Sequence, residues 1–181
     1  HWTSRVGGRV AYVRNGIDVE VFRQHGDGIS LREEHAIPSE ALVLGSVGRL
    51  DPVKNQRLLI DAIRELDDRW HLLLVGDGPL RDELAQHAQA AGVAPRVHFA
   101  GMRTVTADVY GAFDVFALSS LSEAMPMTIL EAFCARVPVV APRVGGIASL
   151  LSEGRFGSIT EPGSAASMAR AVRQTVEGAH E

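Results

Sequence analysis

Short apolar runs alternate with helix-spaced segments along most of the chain, and this alternation restricts the fold more than any other feature. Ala41–Val47, Trp70–Val75, Val97–Ala100, Asp114–Leu118 and Pro138–Ala141 are apolar runs without polar alternation, and Phe156–Thr160 is a sixth candidate. Runs this short and this uniformly apolar suit strands covered on both faces. Between them, Leu59, Ile63 and Leu66 recur at helical spacing within 55–66, and Leu80, Leu84, Ala88 and Ala91 do so within 80–91. Thr104–Ala112, Met127–Ala135 and Ala165–Val176 read as further helices. Strand–helix repetition of this kind predicts an α/β fold, a doubly wound parallel sheet with right-handed crossovers. Ligands of such sheets bind outside the carboxyl ends of the strands, so the loops after each strand are the places to look.

Composition narrows the function classes. The 181 residues include 46% apolar side chains, enough for one globular domain with a real core. The formal charge is −4 and the arginines are dispersed, with no basic block interleaved with aromatics, so a nucleic-acid partner is not expected. Cys134 is the single cysteine, which excludes an internal disulfide and agrees with a reducing compartment. No apolar run approaches the ~20 residues that cross a bilayer. The chain opens at His1 rather than at a methionine, as a piece of a longer protein would.

The loop after the first strand contains GRLDPVKNQ, Gly48 to Gln56. Of 18 cationic residues, Lys54 is the one lysine, five positions after Arg49. Gly48 allows close backbone approach. Two cations beside the start of a helix repel its partially positive N-terminus, so helix stability does not account for them; a bound anion would, as would plain solvation of both charges. Gly76–Pro79 (GDGP) and Arg143–Ile147 (RVGGI) are either close-approach loops or ordinary turns. Ser119–Glu131 (SSLSEAMPMTILE) places Glu123 in a loop, Pro126 at a helix start and Glu131 about one turn beyond Met127. Two carboxylates flanking a helix N-terminus could hold a polyol and a phosphate together, although either acid alone could be an exposed charge or an arginine's partner. GxGxxG and GxxxxGK[ST] are absent, which weakens dinucleotide and P-loop readings, and neither HExxH nor D-x-D offers a metal site.

Taken in order, these segments resemble the C-terminal, donor-binding domain of the GT-B fold glycosyltransferases of family 4, the retaining group 1 enzymes. The motifs are RNGIDVEVF from Arg14, GRL with Lys54, GDGPL, V-x-F-x-G at Val97–Gly101, AFDVF at Ala112–Phe116, Glu123 with Glu131 eight positions on, PVV and VGG, over about nine-tenths of the chain. The resemblance implies a Rossmann-like half at 15–181, with 1–14 as the end of an N-terminal acceptor domain or a linker, the acceptor domain itself being absent.

It also implies residue roles. Arg49 and Lys54, beside Gly48, would grip the donor diphosphate. Glu131 would bind the ribose hydroxyls and Glu123 the donor sugar near the transfer centre. The backbone of Ala124, Met125 and Pro126 would face sugar and phosphate, with Thr128 near the phosphates and Met102 and Arg103 flanking the base. The implied reaction is retaining transfer from a nucleotide-diphosphate sugar to a saccharide or lipid-linked acceptor. It needs no metal or other cofactor, and the isolated domain would be inactive. The implied location is the cytoplasm or the inner face of the cytoplasmic membrane, with peripheral membrane association of the full-length enzyme.

Three positions depart from the family pattern. Ala124 and Arg136 stand where glycine is usual, and Ser149 where an acid is common. Arg136 would replace a left-handed helix cap at a cost of ~1 kcal/mol. A GT-B relative such as a sugar-nucleotide epimerase, or a non-enzymatic nucleotide-binding module, are the alternative readings.

Overall fold

In a computed structural model of the chain, residues 16–23, 28–104 and 107–178 are described. The proposed linker at 1–14, the Asn15 half of the Asn15-Gly16 turn and Val105–Thr106 of the helix expected over 104–112 lie outside them.

Six strands form one sheet: β1 (Leu42–Val47), β2 (Trp70–Val75), β3 (Val97–Gly101), β4 (Val115–Ala117), β5 (Val139–Pro142) and β6 (Ser158–Thr160). Their spatial order is β3-β2-β1-β4-β5-β6, and every pairing is parallel. The helices are α1 (Val19–Arg23), α2 (Ile29–Glu34), α3 (Arg57–Arg64), α4 (Arg81–Ala90), α5 (Ala107–Gly111), α6 (Met127–Cys134), α7 (Ile147–Leu150) and α8 (Ala165–Glu177). The expected doubly wound sheet is therefore present.

Successive strand residues point to opposite faces, so each apolar run feeds two cores. Val43, Leu73, Val75, Phe116 and Val139 pack on one face with residues of α1, α2, α5, α6 and α7. Leu44, Leu72, Leu74, Val115 and Val140 pack on the other with α3, α4 and α8. The helix-spaced Leu59, Ile63 and Leu66 are all buried in this second core.

Polar side chains tie the edges of this frame. Arg32 on α2 donates to the carbonyls of Ala112 and Ala41 and pairs with Asp114 at 2.8 Å. The same Asp114 oxygen accepts the Val43 amide at 2.7 Å, which gives the aspartate of AFDVF a structural task between β1 and β4.

Helix α3 begins two residues later than the sequence pattern suggested. Asn55 has φ +51, outside helical space, and asparagine tolerates that region better than most residues. Helix α6 ends in a Schellman arrangement: the Val137 amide reaches the Ala132 carbonyl and the Arg136 amide reaches Phe133. Arg136 occupies the left-handed position at φ +59, as its place in the sequence implied.

Candidate functional site

The strand order reverses between β1 and β4. From β1 the chain winds outward through β2 to β3, then returns to β4 and winds the other way. The loops leaving β1 and β4 therefore part at their carboxyl ends and open a crevice, the usual ligand position in such sheets. The two loops are laced together beneath it. The Leu121 amide donates to the Val53 carbonyl at 2.8 Å, and Ser119 Oγ donates to the Lys54 carbonyl at 2.8 Å. Asp51 Oδ1 accepts the amides of Val53 and Lys54, both at 3.0 Å, which turns the chain so that Lys54 faces the crevice.

There the lysine meets Glu123. Nζ lies 2.5 Å from Oε1, and Ser120 Oγ donates to the same oxygen at 2.7 Å. The Glu123 side chain is only 11% exposed and that of Lys54 28%. A carboxylate so far out of water needs charge and hydrogen-bond partners, and here it has one of each.

Beside this pair begins α6. Its N-cap, Pro126, has no side chain to offer the first amides, and its first turn carries no acid. The amides of that turn consequently face the crevice end of the helix without an anionic partner of their own. Ala124 is exposed, Met125 and Thr128 half-buried and Pro126 buried. Further along, Glu131 Oε2 accepts a 2.6 Å hydrogen bond from the Tyr110 hydroxyl, which also reaches the Thr128 carbonyl at 3.3 Å. Burial pushes the Tyr110 phenol far above its ordinary pKa and the bond to Glu131 adds to the shift, so the hydroxyl stays a donor.

On the other side of Lys54 the ends of β1, β2 and β3 frame a cleft of about 640 Å³, lined by Gly48, Arg49, Gly76, Asp77, Met102 and Arg103 among others. Arg49 extends into solvent, 71% exposed, within 4.0 Å of Asp51. Its backbone is fixed by Gln56, whose Nε2 donates to the Arg49 carbonyl at 2.8 Å. Arg103 is anchored by Glu34 of α2 and by the Ala100 carbonyl, while Met102 stands 76% exposed at the rim.

The residues singled out in the sequence thus fall into three adjoining groups: Gly48, Arg49, Met102 and Arg103 around the cleft; Lys54 with Glu123 at the strand reversal; and Ala124, Met125, Pro126, Thr128 and Glu131 along the start of α6. Arg49 and Lys54 have different surroundings: Arg49 is exposed and only loosely paired with Asp51 at 4.0 Å, whereas Lys54 is part-buried and tightly paired with Glu123 at 2.5 Å.

The glycine-rich loops serve packing more than ligand approach. A Cβ on Gly145 would stand 1.7 Å from the Glu123 carbonyl oxygen, and one on Gly76 2.0 Å from that of Gly48. These glycines let neighbouring loops touch. At Gly48 itself a Cβ would meet only Lys54 methylenes, 3.8 Å away at the closest. Two supporting groups had no assigned role in the sequence, Tyr110 under Glu131 and the Ser120 hydroxyl under Glu123. Tyr110 could have been suspected as a polar-tipped aromatic within an otherwise apolar segment. Among the described residues, no group of three or more His, Cys, Asp or Glu side chains is placed to hold a metal ion.

Comparison with known proteins agrees with this fold. The family profile of the glycosyl transferases group 1 matches residues 41–177. A D-inositol 3-phosphate glycosyltransferase 2 of Catenulispora acidiphila is 34% identical over 96% of this chain and 44% of its own length. The lipopolysaccharide core biosynthesis glycosyltransferase LpsE of Rhizobium meliloti is 37% identical over 77% of this chain and 41% of its own. Among solved structures, Anabaena Alr3699/HepE in complex with UDP and glucose superposes with a TM-score of 0.87 at 30% identity, over 96% of this chain and 50% of that one. The same protein is also known in complex with UDP-glucose. The chain spans less than half the length of these curated relatives.

Proposed function

The chain belongs to the glycosyl transferases of group 1, and from that premise we propose that it is the donor-binding half of a retaining, metal-independent GT-B glycosyltransferase. The observation that carries this reading is the meeting, at the strand reversal, of Lys54, Glu123 and an uncapped, acid-free helix N-terminus. Lys54, Arg49 and the first amides of α6 supply positive charge for a diphosphate. Glu131 receives the ribose hydroxyls. Glu123 and the backbone of Ala124–Pro126 receive the sugar. The cleft beside Met102 and Arg103 takes the base. Complexes of the HepE structure with UDP and UDP-glucose favour a uridine donor here.

Catalysis then rests on holding the donor in place and stabilising the departing diphosphate with fixed charge and helix amides. Residues 15–181 form the donor unit, and the preceding segment leads to an acceptor-binding half, for a saccharide or lipid-linked acceptor. Without that half, the chain binds donor but does not transfer sugar. We place the whole enzyme in the cytoplasm, with any membrane contact peripheral; no helix among the described residues is long and apolar enough to cross a membrane.

Calorimetric titration of the chain with UDP, GDP and ADP, beside Lys54→Ala and Glu131→Ala, tests the reading. One nucleotide is expected to bind, with UDP favoured, and both variants to weaken it. A folded chain that binds none of the three at millimolar concentration overturns it. Retention is read from the anomeric configuration of the product made by the complete enzyme.

A further inference from the structure

We propose that Tyr110 is a positioning residue that sets the Glu131 carboxylate for ribose recognition; the inference rests on the donor-binding reading above. The tyrosine is fully buried, and its ring is wedged among Phe22, Phe113 and Phe116 with centroids 5.9, 5.7 and 5.8 Å away. Neighbours on three sides leave the ring no room to swing, so its hydroxyl is a fixed point. That hydroxyl donates to Glu131 Oε2 at 2.6 Å, a length typical of a bond to an ionised carboxylate, and reaches the Thr128 carbonyl one turn earlier on α6.

A free glutamate on a helix surface samples several rotamers, and ordering it on ligand binding costs affinity. Here one carboxylate oxygen is already held from the core side. Oε1 keeps its lone pairs for an incoming vicinal diol. The contact is also selective. It acts only on ligands that use Glu131, so it bears on the ribose and not on the diphosphate, which Lys54 and the α6 amides serve.

The test is a thermodynamic cycle of Tyr110→Phe, Glu131→Gln and the double variant, titrated with UDP and with 2′,3′-dideoxy-UDP. Tyr110→Phe keeps the buried ring and should fold; its thermal unfolding midpoint is recorded alongside. The expected result is an affinity loss of about tenfold for UDP, little change for the dideoxy analogue, and no further loss on adding Tyr110→Phe to Glu131→Gln. Equal losses for both ligands, or none for either, overturn the positioning role. If wild-type chain itself binds UDP and the dideoxy analogue equally, the ribose contact assigned to Glu131 fails and the inference fails with it. If Glu131→Gln discriminates less than wild type but Tyr110→Phe does not, only the inference fails.

Discussion

Lys54 Nζ sits 2.5 Å from Glu123 Oε1, a pair that joins the loop after β1 to the loop after β4 across the reversal of strand order. The cation proposed for the donor diphosphate and the acid proposed for the donor sugar are thus paired with each other. On the proposed roles, a diphosphate binding Lys54 competes with Glu123, and the released carboxylate becomes available to the sugar.

Glu123→Gln should therefore tighten binding of UDP while loosening binding of the sugar nucleotide relative to it. The gain for UDP is about fivefold, the equivalent of the ~1 kcal/mol that a part-exposed ion pair is worth. Calorimetry on both ligands checks it. A variant with weaker UDP affinity would mean that Glu123 supports Lys54 rather than competing for it.

Gly145→Ala should damage the site from behind. Gly145 has φ +50, and a Cβ there would overlap the Glu123 carbonyl at 1.7 Å. The left-handed backbone alone costs a non-glycine residue about 1–2 kcal/mol, and the overlap pushes the Glu123 loop away from Lys54. Both the urea unfolding midpoint and UDP-sugar affinity should fall. Unchanged affinity in the folded variant would separate that loop from donor binding.

Arg136→Gly should stabilise the fold. Arg136 is exposed, closes α6 at φ +59, and stands outside the site. Glycine relieves the left-handed strain, for a gain of about 1 kcal/mol less whatever freedom it returns to the unfolded chain. Chemical denaturation measures the difference, and a loss of stability would show that the arginine side chain contributes more than the backbone strain removes.

Stability should also fall with acid through a histidine pair. His71 Nδ1 lies 2.9 Å from His98 Nε2, the rings stacked at 5.2 Å. Burial, with His71 and His35 nearby, pulls the His98 pKa down to about 4 from its ordinary 6.5; burial and Arg96 also lower that of His71. Between pH 6.5 and about 4 the unfolded chain binds protons that folded His98 refuses, so its contribution is lost progressively as pH falls through that window and levels off below it. His98→Gln removes this dependence. The observable is the difference in unfolding midpoint between wild type and variant across pH 4–7, and parallel curves would contradict it.

The sequence carried the architecture well because each strand is a short, doubly buried run whose signal is local. The run Trp70–Val75 forms β2 residue for residue, while Phe156 and Gly157 stay outside β6, Phe156 being 55% exposed. The helices α1 and α2 were not foreseen because five or six residues are too few to establish a period, and α2 buries only Leu31. In the candidate site, the residues proposed to bind were visible in the sequence and their intramolecular partners were not. Tyr110 reaches Glu131 across 21 positions, and nothing in the sequence separates that contact from the arginine pair Glu131 could have made. The paired glycines of RVGGI left a close-approach loop and an ordinary turn equally open; the packing shows a close approach, by the Glu123 and Ala124 backbone.

The most direct measurement is a crystal structure of this chain with UDP. The expected result is the diphosphate within hydrogen-bond reach of Lys54 Nζ and the first amides of α6, with the ribose on Glu131 and Lys54 withdrawn from Glu123. UDP bound elsewhere, with the Lys54–Glu123 pair intact and no contact to α6, would contradict it.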